Sequence, residues 1–175
     1  MSWFKMQGPF RAKILLAGAV LPLLMVVGGC QVRPLYATDA GTEAALKSII
    51  FSEADDRVEL EVRNQLIFMT SGGAGEPANP EYDVQLTVVE RNVGVLLDLS
   101  TDLPRAGRIV LKADFTLKRT ATGEVLKTGH RSVVALVDFP GQEYAKIRAT
   151  RDAENRAARE LAELIRADLA SWLGR

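Results

Sequence analysis

The chain contains one histidine, His130, and one cysteine, Cys30, and those two counts bound its chemistry. A catalytic zinc takes three protein ligands from His, Cys or carboxylate, so one histidine supported only by carboxylates makes a poor metal set. Ser-His-Asp catalysis needs a base beside an activated serine and an acid that orients the base. Ser132 lies two residues from His130 on a β-prone run, on the same face, with no orienting acid evident along the chain. A surface or edge-strand histidine is the plainer expectation. The glycines of "GGAG" at 72–75 lack the following Lys-Ser/Thr of a phosphate-binding loop. Glu53, Asp55 and Asp56 could hold a cation weakly, but acidic residues also belong at a helix N-terminus. These residues predict no catalytic site, no metal, no cofactor and no enzyme.

Cys30 poses a different question, because a lone cysteine makes no internal disulfide and this one marks a boundary. Before it, residues 1–13 carry Lys5, Arg11 and Lys13 and no acid, and Ile14 to Val27 run apolar apart from Gly18 and Pro22. The run is shorter than the roughly 20 residues a spanning helix needs, and Pro22 weakens a straight helix. A basic start, a short apolar run and small residues before a cleavage point are the parts of a secretory signal. "VGGC", Val27 to Cys30, resembles a lipobox, the processing site of bacterial lipoproteins, with Cys30 as the first mature residue. The resemblance implies diacylglycerol and N-acyl groups on Cys30, and such multiple chains make stable anchors where one does not. Gln31, rather than Asp, implies export to the outer membrane. The plain alternative is a free cysteine near an ordinary cleavage site.

The sequence therefore divides into a signal peptide at 1–29, a lipidated N-terminus and tether at 30–47, and a single domain at 48–175. A mature chain of about 145 residues suits one compact core. Removing Lys5, Arg11 and Lys13 from 22 basic residues leaves 19 against 22 acidic, a net charge of about −3. That balance excludes an electrostatic case for nucleic acid.

The elements follow from periodicity. Ser48 to Ser52 is a short β-prone run. Val58, Val62, Leu66 and Met69 share one helix face between an acidic start and Gly72, although Leu60 and Phe68 interrupt the stripe. Tyr82, Val84, Leu86 and Val88 alternate with polar residues as a half-buried strand does, and "RNVGVLLDL" extends it across a bulge expected at Gly94. Ile109, Leu111, Ala113, Phe115 and Leu117 alternate again, and a run from Val125 ends at Pro140. From about Ala149 to Leu173, Ala153, Ala157, Leu161, Leu164 and Trp172 trace one side of a long amphipathic helix, widened by Ala158, Ile165 and Leu169. The expected fold is α+β: a small antiparallel or mixed sheet of about four strands with two helices packed on one face.

Taken in order, "GC" ending a signal, "RPLY" just inside the mature chain, "VRNQL" at Val62 to Leu66 and "YAK" at Tyr144 to Lys146 before "RDAENRAARELAELI" resemble the LptE family of LPS-assembly lipoproteins, in its alphaproteobacterial form. The resemblance implies a non-enzymatic lipoprotein on the periplasmic side of the cell outer membrane. It further implies a plug and assembly partner for the lipopolysaccharide-translocating β-barrel LptD, helping to insert lipopolysaccharide at the outer leaflet. It points to Lys146, and more loosely to Arg105 and Arg108 in "STDLPRAGR", as lipopolysaccharide contacts, and to Arg63, Asn64 and Gln65 as partner contacts. The plainer reading of Lys146, Arg105 and Arg108 is that of ordinary solvated cations, and Arg63, Asn64 and Gln65 are equally readable as the wet face of a helix. Two other functions stay open: an accessory lipoprotein of a different envelope or transport complex, and a periplasmic lipoprotein enzyme.

Overall fold

The computed structural model describes residues 41–97 and 104–174. The proposed lipidation site Cys30, the first part of the tether and the residues 98–103 of the "STDLPRAGR" loop lie outside the described residues. The described elements run α1 (Thr42–Lys47), β1 (Ile49–Phe51), α2 (Arg57–Ser71), β2 (Tyr82–Leu97), β3 (Pro104–Arg119), β4 (Val125–Asp138) and α3 (Glu143–Leu173). They form a mixed four-stranded sheet in the order β1-β2-β3-β4, with β1 parallel to β2 and the other pairs antiparallel. This is the α+β architecture the periodicity predicts.

The alternation along β3 sets the layers. Ile109, Leu111, Ala113, Phe115 and Leu117 are all buried, together with Val84, Leu86 and Val88 of β2 and Val133 and Val137 of β4. The two long helices cover this face. α2 starts where the Asp56 carboxylate accepts the Val58 and Glu59 N–H groups at 2.8 and 2.8 Å. It ends at Gly72, which takes the left-handed conformation (φ 64°) that closes many helices. Val58, Val62 and Leu66 bury the expected stripe, and Leu60 and Phe68 point out of it.

α3 begins six residues earlier than the periodicity places it, directly after Pro140 and Gly141. Its buried stripe passes through Ala153, Ala157, Ala158, Leu161, Ala162, Ile165, Leu169 and Ala170, while Leu164 is exposed and Trp172 only partly covered. A 3.6-residue helix drifts about 20° per heptad. Over a helix of 31 residues the drift carries the seam from Leu164 onto the Leu161–Ile165–Leu169 ladder. Burying each of these aliphatic side chains contributes about 1.5–3 kcal/mol.

Three further features differ from the expectation. A short helix, α1, stands in the stretch read as tether, with Thr42 and Leu46 buried. Gly94 makes no bulge: it pairs in register with Gly107, and the irregularity falls at Leu96, whose φ is +55°. Gly129, inside the run from Val125 that forms β4, is where the Phe115 ring lies; a Cβ there would come within 2.2 Å of the ring.

β1 stops after three residues, yet the β2 edge beside it stays occupied. The Ser52 hydroxyl accepts the Leu86 N–H at 3.0 Å, and a Glu59 carboxylate oxygen accepts the Val88 N–H at 2.9 Å. Two side chains thus stand in for a strand that has ended, which explains why Glu59, a charged residue, is buried on α2.

Candidate functional site

The sequence-predicted contacts converge, in part, at one end of the sheet. Here the β2–β3 hairpin projects, β4 finishes and α3 begins. The Phe139 N–H donates to the Arg105 carbonyl at 2.8 Å, which ties the end of β4 to the start of β3. The Phe139 ring lies on Gly107, where a Cβ would come within 2.4 Å of it; the missing side chain is what admits the ring. Lys146, in the first turn of α3, sits with its Nζ 5.2 Å from the centroid of the same ring, a cation–π distance. Glycine, ring and ammonium therefore stack from strand to helix, and Lys146 is held at a fixed place.

Side-chain alternation separates the two arginines. Arg105 shares the helix-bearing face with Gly107. Arg108 belongs to the uncovered face, opposite Val93 of β2 and Leu136 of β4. Arg105 and Lys146 are thus brought to one side, and Arg108 is not with them. Arg91 and Lys112 accompany Arg108 on the uncovered face, among the exposed Val89, Val134 and Leu136.

Lys146 also lines a cleft of about 290 Å³ between the N-terminus of α2 and the first turns of α3, with Arg57, Glu143, Ile147, Arg151 and Glu154. Arg57 pairs with Glu154 and donates to Asn155 Oδ1 at 3.0 Å, closing one wall. Three cations face two carboxylates, and the positive end of α2 adds to them, so the cleft suits an anionic group. Glu90, behind Arg57, has its carboxyl held above the usual value, first by burial, with Arg57 opposing and Asp56 adding to the shift. The outer side of this helix start is apolar: Tyr144 is 71% and Ile147 49% exposed. Arg148 Cζ lies 5.8 Å from the centroid of the Tyr144 ring.

The "VRNQL" residues divide. The Arg63 Nε donates to the Ser52 carbonyl at 2.9 Å and its Nη2 reaches both oxygens of Glu76 at 2.8 and 2.9 Å. That charge-assisted contact holds the 72–80 loop against the end of β1. Gln65 donates to Glu61 at 3.3 Å within the helix. Asn64 is exposed, one turn from exposed Leu60 on one side and exposed Phe68 on the other. Only Asn64 presents itself outward as a partner contact would.

His130 does have an acid beside it, contrary to the expectation: Asp114, across the sheet on β3, lies 2.8 Å from its Nδ1. Both are exposed on the uncovered face. Ser132 is two residues along the strand, roughly 7 Å away at strand rise, beyond hydrogen-bond reach of the imidazole at backbone spacing. Sequence reasoning missed Arg57, Phe139 and Arg151. The available signal was the Phe139-Pro140 pair at a strand end, where a large ring just before a helix has a partner to find. Arg57 and Arg151 are distant along the chain, and only packing of α2 against α3 brings them together.

A small lipoprotein-type α+β domain, with two long helices on one face of a four-stranded sheet and a basic helix start beside a projecting hairpin, is the class these features define. The chain belongs to the LptE, lipopolysaccharide-assembly, family, whose pattern it matches over residues 45–169. Among solved structures it is similar to a lipoprotein from Caulobacter crescentus CB15, at 28% identity and a TM-score of 0.66, covering 77% of this chain and 96% of that one. It shares its fold with rare lipoprotein B from Shewanella oneidensis, at 12% identity and a TM-score of 0.53, over 70% of this chain and 92% of that one. Lipoprotein B from Nitrosomonas europaea shares it too, at 15% identity and a TM-score of 0.51, over 70% and 80% of the respective chains. Among curated proteins none matches.

Proposed function

We propose that this LPS-assembly protein is anchored through acyl groups on Cys30 to the periplasmic side of the outer membrane, where it acts without catalysis as the plug and assembly partner of the β-barrel LptD. In this reading its hairpin end meets lipopolysaccharide. The observation that carries the reading is the placement of Lys146 and Arg105 at the end of the domain away from the chain's entry. Thr42, the second of the described residues, lies against Gly174 at the far end of α3. At 1.5 Å per residue, the helix between Lys146 and Gly174 spans about 42 Å. A described chain that begins at one end and a cationic surface at the other suit a protein tethered through its N-terminal segment while it reaches into a partner. Phosphates and acidic sugars are recognised by charge-assisted hydrogen bonds from Arg and Lys, and the lumen of a large transport barrel is polar, as is most of this surface. Anchoring also raises the effective concentration of the plug at its barrel.

The test is purification of the tagged protein from detergent-solubilised outer membrane with identification of what accompanies it. A stoichiometric large β-barrel that carries lipopolysaccharide is the expected result. Recovery of the protein alone, or with inner-membrane transport components, contradicts the reading and favours an accessory role in another envelope complex.

A further inference from the structure

The side of the sheet that the helices leave uncovered carries a regular pattern of cations and aliphatic side chains toward the hairpin end. Arg108 of β3 stands between Val93 of β2 and Leu136 of β4. In the next row on this face, Arg91 of β2 stands beside Val110, and in the row after that Lys112 lies between Val89 and Ser132. Val89, Val93, Val134 and Leu136 are between 37% and 72% exposed, and the three cations are exposed as well. Among the described residues none of these three cations has a hydrogen bond or an ion pair. By register the nearest acids on this face are Asp114, which His130 holds at 2.8 Å, and Asp138, which ends β4 opposite Ala106. The chain has 22 basic and 22 acidic residues, so the excess of cations is local. We infer that this face docks against an acidic, strand-built protein surface, whose carboxylates meet Arg91, Arg108 and Lys112 and whose apolar side chains meet the valines between them.

The spacing selects the occupant. Diagonal neighbours such as Arg91 and Arg108, or Arg91 and Lys112, start about 7–8 Å apart. Arg108 and Lys112, four residues apart on one strand, start about 14 Å apart. A single phosphate or carboxylate gathers cations to one point, whereas these are spread out with valines between them. Carboxylates at alternate positions of a facing strand recur about every 7 Å, which matches the diagonal spacing. The flat surface agrees, because two sheets pack face to face about 10 Å apart.

Size says what such a contact can do. Three strands at about 4.8 Å and six residue steps at about 3.4 Å make a patch of roughly 300 Å². That is well under the roughly 800 Å² each partner gives to a stable interface. The face therefore orients the protein within a larger contact, as one side of a plug does inside a barrel, and separated charge pairs are suited to fixing such a register. In this the inference rests on the function proposed above, and it names the side of the plug that meets the wall.

The test uses the full-length lipoprotein purified from detergent-solubilised outer membrane, in one preparation with a photo-reactive amino acid in place of Val134. Irradiation is expected to join position 134 to the accompanying β-barrel, at a wall strand that carries Asp or Glu. Combining Arg91→Glu, Arg108→Glu and Lys112→Glu should cut the recovery of barrel per lipoprotein about tenfold or more, with unchanged melting as the control for folding. If that variant melts early, the corresponding triple Gln variant decides in its place, with a loss of about threefold expected. Undiminished barrel recovery in the folded variant overturns the inference and leaves the plug reading standing. The same holds for an adduct with lipid, lipopolysaccharide or a second copy, for one at a wall strand without acids, and for no adduct at all. A parent protein that brings down no barrel defeats the plug reading itself, and the inference falls with it.

Discussion

The β2 edge and the hairpin end of the sheet use their polar groups in opposite ways. Beside β1, Ser52 and Glu59 complete the β2 edge, and Arg63 clamps Glu76 and the Ser52 carbonyl. Side chains there satisfy backbone and one another. At the hairpin end, Leu96, Leu136 and Tyr144 are each more than 70% exposed, with Arg105 and Lys146 on the helix-bearing side and Arg108 beside Leu136 on the other. One region turns its polar groups inward and is built for stability; the other displays cations and apolar side chains and is built for contact, as exposed apolar surface often is.

The sharpest way to break the comparison is to place the same methyl group in the core and at the hairpin end. Gly129→Ala drives a Cβ into the buried Phe115 ring, with a 2.2 Å approach. It is expected to cost about 1–3 kcal/mol as overpacking does, read from denaturant unfolding. Gly107→Ala makes a similar clash, but with Phe139, which is only partly buried and can turn outward. Its stability cost should be the smaller of the two, while Lys146 loses its platform. Equal costs would mean that the hairpin end is packed as firmly as the core.

Next in size is the edge substitution. Glu59→Gln keeps an oxygen for the Val88 N–H, whereas Glu59→Leu leaves that buried donor unpaired. The leucine variant is expected to lose about 1–3 kcal/mol and the glutamine variant clearly less; a reversed order would remove the carboxylate from its role at the strand edge.

How far the sequence showed these two regions differs in the same sense. Strand and helix identity came through because Val84 to Val88, Ile109 to Leu117 and Val58 to Leu66 repeat with the period of their element. The β2-edge clamps did not, since Glu59 and Arg63 look like the wet face of a helix until β1 is seen to stop after Phe51. Lys146 was found through a motif resemblance, yet its stack on Phe139 and Gly107 needed three distant elements to meet. Arg105 and Arg108 are close along the chain, but strand alternation sends them to opposite faces, which spacing alone should have warned of. α1 escaped notice because six residues carry too little periodicity to read.

Two smaller effects refine the account. The Glu90 carboxyl is held above its ordinary value of 4.5, mainly by burial. A carboxyl raised on folding favours the folded state only while protonated, so its contribution is present below pH 4.5 and fades as pH rises through the folded value. Glu90→Gln should therefore raise stability at pH 7 and change little below about pH 4, which thermal melts across that range will show. An equal effect at both pH values would point to packing instead. Smallest of all, Thr42 buries a hydroxyl with no hydrogen-bond partner. Thr42→Val removes it at constant shape, and melting should show neutrality or a gain of up to about 1 kcal/mol; a clear loss would reveal a partner for that oxygen.

The central claim is that the hairpin end, and not the helix surface at large, meets lipopolysaccharide. The direct measurement is lipopolysaccharide binding by the purified protein, its Lys146→Glu variant and an Arg159→Glu variant, which reverses an exposed charge further along α3. With all three equally folded, Lys146→Glu is expected to weaken binding about tenfold or more, some 1.4 kcal/mol, and Arg159→Glu to stay within about twofold of the parent. Equal losses from both variants, or none from Lys146→Glu, would contradict the account.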